Sequence, residues 1–253
     1  MIDSLRSEWA KIATTRMTLG LVLTALAFTL LNAVTIIALA GSDLAGSDLP
    51  SLTDPDGLLL VYSTVGSAVL LALVLGILAM TSEFRHHTIT STLLATPRRP
   101  RLVVAKSLAQ ALAGAIMGAA CMAAVLLALL AASLFKDTAP IDWGEFAAVS
   151  GGALLAFAIY PVVGVAFGSL VRNQIAAIII ALVWVMLVEA LVVSFLPDVG
   201  KWLPGGAVNG LLQAGAMGAD VYLDVLPSAV LLLGYGVVFA ALGASVTMRR
   251  DIT

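Results

Sequence analysis

Charge is scarce in this sequence. Of its 253 residues, 11% are Asp, Glu, Lys or Arg, whereas 61% are hydrophobic. A soluble domain carries roughly 25% charged residues, so this chain cannot clothe a surface that faces water. Its exterior must face lipid. Cysteine is nearly absent too: Cys121 stands alone inside an apolar run, which excludes an intrachain disulfide and leaves the redox compartment unread. The net charge of −2 comes with no dense basic cluster, which argues against a nucleic-acid partner. Histidine occurs only at His86 and His87. Adjacent helix positions do not face one another, so these two make a poor metal pair.

Catalytic signatures are missing as well. The sequence has no Gly-x-x-x-x-Gly-Lys-Ser/Thr phosphate loop, no His-Glu-x-x-His and no Gly-x-Ser-x-Gly. ATP hydrolysis by the phosphate-loop route is thereby excluded, and no hydrolase or protease set is visible. A proton-driven pump uses a chain of buried carboxylates or histidines; here Glu189 is the only ionisable residue well inside an apolar run.

What the sequence does have is long hydrophobic runs. A span needs about 20 mostly apolar residues to cross the hydrocarbon core. Six stretches qualify: Met17–Ala40, Leu58–Met80, Leu102–Leu134, Phe146–Leu170, Ile175–Leu196 and Pro227–Met248. They predict an all-α integral membrane protein, with the overlong third span tilted or projecting beyond the bilayer. Ala38-Leu39-Ala40 before Gly41 resembles a signal-peptidase site. The apolar run ahead of it is about 21 residues, longer than the 7–15 of a secretory signal, so span one is retained.

The charges that remain are sorted by side. Arg6, Lys11, Arg16, Arg85, Arg98, Arg99, Arg101, Lys106, Arg172, Arg249 and Arg250 fall at one end of the spans, eleven of the 13 basic residues. Lys136 and Lys201 fall at the other, among Asp43, Asp48, Asp54, Asp56, Asp137, Asp142, Glu145, Asp198, Asp220 and Asp224. Basic loops stay in the cytoplasm, so both termini are expected there.

Residues 1–16 predict a helix lying on the cytoplasmic membrane face, because Ile2, Leu5, Trp9 and Ile12 recur at spacings of three and four. It serves either as an anchor or as a dock for a partner. Residues 17–248 form the six-span domain and 249–253 a cytoplasmic tail. The one sizeable cytoplasmic loop covers about residues 81–101. There Ser82 is placed to cap a helix starting at Glu83, and Pro97 to stop it. Outside, Pro197–Leu226 is too short and too weakly apolar for a span, and fits a re-entrant or interfacial element. Glu189 is costly in lipid and by default a functional candidate; lining a cavity, pairing across a subunit seam and lying protonated beside Ser194 are all open. Gly114-x-x-x-Gly118 and Gly164-x-x-x-Gly168 offer small faces for close helix contact, and Pro161 is expected to kink span four.

Several of these residues carry a family likeness. Glu83, Phe84, Arg85, Thr88, Thr92, Pro97, Arg98 and Lys106, with Ser7-Glu8-Trp9-x-Lys11, Thr14-Thr15-Arg16 and Trp202-Leu203-Pro204, resemble the permease subunits of type-2 ABC exporters, particularly actinobacterial ones. The likeness extends over essentially the whole chain, although the outer loops here are short. It implies a coupling helix at about Glu83–Ala95, seated with the N-terminal helix in a separate ATP-binding subunit. Glu83, Phe84, Arg85, Thr88, Thr92 and Trp9 would make that contact. Glu189 and Asn32 would border the substrate path or the seam with a second permease, a copy or a paralogue. ATP and magnesium would belong to the partner, with no cofactor on this chain, and the cargo would be a hydrophobic or amphiphilic drug, antibiotic, peptide or lipid. The likeness places the chain in a bacterial plasma membrane. Two other readings compete: an ATP-independent secondary transporter or channel, and a non-transporting immunity or anchor subunit. The first predicts internal symmetry between the halves, which the sequence does not show.

Overall fold

The computed structural model describes residues 2–41, 49–85, 99–171, 173–214 and 221–249. Among these residues every regular element is a helix. In lipid a backbone must satisfy its polar groups within itself, and an apolar run does so by coiling. Six helices are long and apolar enough to span: Arg16–Leu39, Pro55–Arg85, Val104–Ala132, Trp143–Val171, Gln174–Phe195 and Val225–Ser245.

The elements are α1 (Ile2–Thr14), α2 (Arg16–Leu39), α3 (Pro55–Ser63) and α4 (Val69–Arg85), the last two joined by a 3-10 segment at Thr64–Ala68 into span two. Then come α5 (Arg99–Ala132), α6 (Trp143–Val171) and α7 (Gln174–Val183). A π-helical segment, Trp184–Glu189, leads into α8 (Ala190–Phe195) and completes span five. A short helix α9 (Pro204–Leu211) precedes α10 (Val225–Arg249). Pro55 opens span two at a helix's first position, where its missing N–H costs nothing, so that span starts earlier than its apolar run. At 34 residues, α5 is about 50 Å long against a core of about 30 Å. The excess is taken up by tilt or by projection of its basic start beyond the bilayer.

Helix α6 is the hub, packed against α4, α5 and α10. Small residues let it approach its neighbours closely. A Cβ at Gly164 would collide with the backbone of Leu73, Ile77 and Gly76 on α4, and one at Gly76 with the carbonyl of Pro161. Pro161 lies inside α6, which continues through it to Val171. Its ring leaves the carbonyl of Phe157, four residues earlier, without a helical donor. That oxygen sits where the Cβ of Gly114 would stand, so a Cα–H of α5 faces it instead. Both glycine pairs noted in the sequence are therefore helix contacts, Gly114 and Gly118 against Phe157, Gly164 and Gly168 against span two.

One expectation is corrected. No helix starts at Glu83: α4 runs unbroken through Ser82 to Arg85, because Thr81 and Glu83 are buried against the bundle and extend the span's packed face. The remainder of the expected coupling helix, with Thr88 and Thr92, lies in residues 86–98, outside the described residues. The bundle-facing side of α1 overlaps the expected apolar stripe at Ile12. It is centred on Glu8 and Ile12, which are buried, while Trp9 is 37% exposed. The segment after span five makes a turn at Pro197–Gly200 and then α9, whose Ala207, Val208 and Leu211 are buried against the bundle, packing on α10 and α6. In its described residues it is packed on the bundle rather than a loose loop. Large apolar side chains such as Leu31, Ile175, Met186, Val230 and Val237 are exposed on the outer helices, the arrangement a lipid-facing bundle requires.

Candidate functional site

At the basic end, four charges from three helices close into a neutral cluster. Lys106, on α5, donates to Glu8 Oε2 at 2.6 Å and to Glu83 Oε1 at 2.8 Å. Lys11 donates to Glu8 Oε1 at 2.6 Å and to the same Glu83 oxygen at 2.9 Å. Lys106 Nζ also reaches the carbonyl of Ala79 at 3.3 Å. Glu8, Glu83 and Lys106 are buried, whereas the Lys11 side chain is 48% exposed. Local sequence prepares half of this: Glu8 and Lys11, three apart on α1, are helix neighbours. Folding supplies the rest, by laying α1 across the ends of spans two and three. Above the cluster is a cleft of about 640 Å³, walled by Ile12, Met17, Leu21, Leu75 and Leu78.

Burial of ions is expensive and is offset only when geometry is good and every charge is matched. Burial alone would push the Glu8 carboxyl up, but Lys106 and Lys11 outweigh it and hold the group below the usual glutamate value. Burial would likewise lower Lys11, yet its hydrogen bonds to Glu8 and Glu83 raise it above the usual lysine value. Both shifts favour the charged forms, so the cluster fastens α1 to α4 and α5.

Near the opposite end, Glu189 closes the π-helical segment and is 3% exposed. Its Oε1 accepts from Trp184 Nε1 at 3.0 Å and its Oε2 from the backbone N–H of Gly205 at 2.8 Å. Residues five apart on an α-helix point about 140° away from each other. The π-helical turn, closing on the fifth residue, brings Trp184 and Glu189 to one side. Gly205 lies in the first turn of α9, where N–H groups lack helical partners and negative charge is favoured. A Cβ there would strike Glu189 Oε2. The glutamate thus ties span five to α9, and the Ser194 hydroxyl bonds its own helix at Ala190 instead.

The structure sorts the sequence's candidates unevenly. Glu83 lies inside the cluster. Phe84 packs on Met80 and Val165, and Arg85 is exposed, reaching Gln174 Oε1 at 3.4 Å. Trp9 is at the surface of α1. Asn32 bonds the carbonyl of Phe28 on its own helix at 2.8 Å and does not line the Glu189 cavity. Glu8, Lys11 and Lys106 were present in the family-like motifs but not singled out as a site. Their only local signal is the Glu8–Lys11 spacing. Trp184 carries no signal at α-helical periodicity.

Six apolar spans, one of them the buried hub α6, with charge kept to the bundle's ends, define a multi-pass membrane protein. Residues 4–188 match the family described as ABC-2 family transporter protein. The match covers most of the chain, and the chain belongs to that family. A search among curated proteins finds no match.

Proposed function

We propose that this chain is the membrane subunit of an ATP-driven exporter, coupled at its basic end to a separate ATP-binding subunit. The observation that carries the reading is the Glu8–Lys11–Glu83–Lys106 cluster. It joins α1 to the ends of spans two and three, the two helix ends that residues 86–98 connect in sequence. A push at those two helix ends is then delivered to three helices together rather than dissipated at one. The segregation of basic residues puts this end, and both termini, in the cytoplasm, where ATP is. Arg85, Trp9, Thr88 and Thr92 are the proposed contacts of the ATP-binding subunit, and Glu83 acts by holding the lever together. A second permease, a copy or a paralogue, completes the transporter.

Transport follows if nucleotide binding tilts the two bundles between states that open inward and outward. Cargo moves only because those states differ in affinity for it. The mainly apolar interior favours a hydrophobic or amphiphilic compound. Purification from native membranes in mild detergent tests the partnership: a soluble ATP-binding protein should accompany the wild type and be depleted by Arg85→Glu. Recovery of the chain alone, still moving solutes in liposomes without ATP, would instead support a solitary transporter. Recovery alone with no transport would support an immunity or anchor role.

A further inference from the structure

A second cavity, of about 300 Å³, lies around Glu189, within the size range of small-molecule sites. Its walls carry Tyr160, Phe167, Trp184, Tyr235 and Phe239, contributed by α6, the π-helical segment and α10. The rest of the lining is aliphatic or Pro204. Ile180 and Trp184, both on the rim, are each 49% exposed, so the cavity borders the outer surface of the bundle.

Five aromatic side chains and one carboxylate form an unusual combination inside a membrane. Among the described residues no lysine or arginine lies within ion-pair distance of Glu189, in contrast to Glu8 and Glu83 at the other end. Its two oxygens accept from neutral donors only, the Trp184 indole and the Gly205 amide. A carboxylate oxygen can accept more than one hydrogen bond, so each retains capacity. A buried carboxylate without a counter-ion is costly, and a cation placed beside it relieves that cost. Aromatic faces attract the same charge, most strongly when water is excluded. An anion meets repulsion from Glu189, and a neutral apolar molecule leaves it unmatched.

We infer that this cavity binds a lipophilic organic cation, with the charge on Glu189 and the apolar body against the aromatic rings. On the exporter reading, which this step presupposes only for its transport consequence, amphiphilic cations are then the cargo class. The competing role is purely structural: Glu189 holding α9 through Gly205 and nothing more. The two separate when charge is removed and shape is kept.

The test is equilibrium binding of radiolabelled N-methyl-4-phenylpyridinium to the purified full chain in nanodiscs, without ATP or a partner subunit. Saturable binding is expected, weakened at least tenfold in Glu189→Gln and several-fold in Phe239→Leu, which removes a ring and keeps both partners of the Glu189–Gly205 hydrogen bond. Biphenyl-4-carboxylate, of similar size and opposite charge, should not compete. Wild-type affinity in a folded Glu189→Gln protein, or effective competition by the carboxylate, would overturn the inference. So would absence of saturable binding to the wild type. If Glu189→Gln does not fold, unaltered affinity in Phe239→Leu has the same force. Because the measurement needs no ATP-binding subunit, its failure leaves the proposed partnership standing. Loss of that partnership would equally leave the binding result intact.

Discussion

Lys106 is the residue on which the basic end depends. It is 2% exposed and is the sole fully buried cation of the cluster, touching both glutamates. Removing one member of a buried ion pair strands the others, at a cost of about 3–5 kcal/mol. Lys106→Met should therefore lower the unfolding temperature strongly and release α1, whereas Lys11→Met, at a half-exposed position, should cost no more than about 1 kcal/mol. A fluorophore on Ala13→Cys in a Cys121→Ser background reports the attachment of α1 in both variants. The same probe reads pH. Glu8 is held below its usual value, so its contribution is present at neutral pH and lost as pH falls through the lowered value. Lys11 is raised, so its contribution is present at neutral pH and lost as pH rises through the raised value. Attachment should persist from below the usual glutamate value to above the usual lysine value, and loosen outside that window. None of this was legible from the sequence beyond the Glu8–Lys11 spacing. The partners at Glu83 and Lys106 are 72 and 98 residues from Lys11 and Glu8, and only the folded bundle brings them together.

Helix contacts follow a simpler rule, close approach at small residues. Gly164 has α4 backbone where a Cβ would go, while Gly20 on α2 has nothing within 4 Å. Gly164→Ala should force α6 from α4 and destabilise by about 1–3 kcal/mol. Gly20→Ala should be neutral or slightly stabilising, since alanine is the better helix former. Thermal unfolding in detergent compares the two directly. The small-residue spacings were visible in the sequence, and so was the bare existence of each contact. Which helix each pair meets was not, because periodicity gives a face and never its partner. Local signals failed where packing overrode them. Ser82 has the chemistry of a helix cap, yet burial of Glu83 keeps α4 going. The π-helical turn at Trp184–Glu189 escaped because a uniformly apolar run looks the same at any helical period.

For the molecule as a whole, hydrophobic length and the sorting of charge were sufficient to give the six spans and the two distinct ends. Lipid permits so few backbone solutions that composition nearly dictates them. The sites were less legible, since both depend on contacts between segments far apart in the chain. The proposed coupling requires that the basic end receive a separate ATP-binding subunit. Photo-crosslinking in native membranes addresses it most directly, with a benzophenone attached at Arg85→Cys and, as control, at Ser133→Cys near the acidic end, each in the Cys121→Ser background. An adduct with an ATP-binding protein is expected from position 85 and none from position 133. An adduct from position 133, or from neither position, would contradict the proposed coupling.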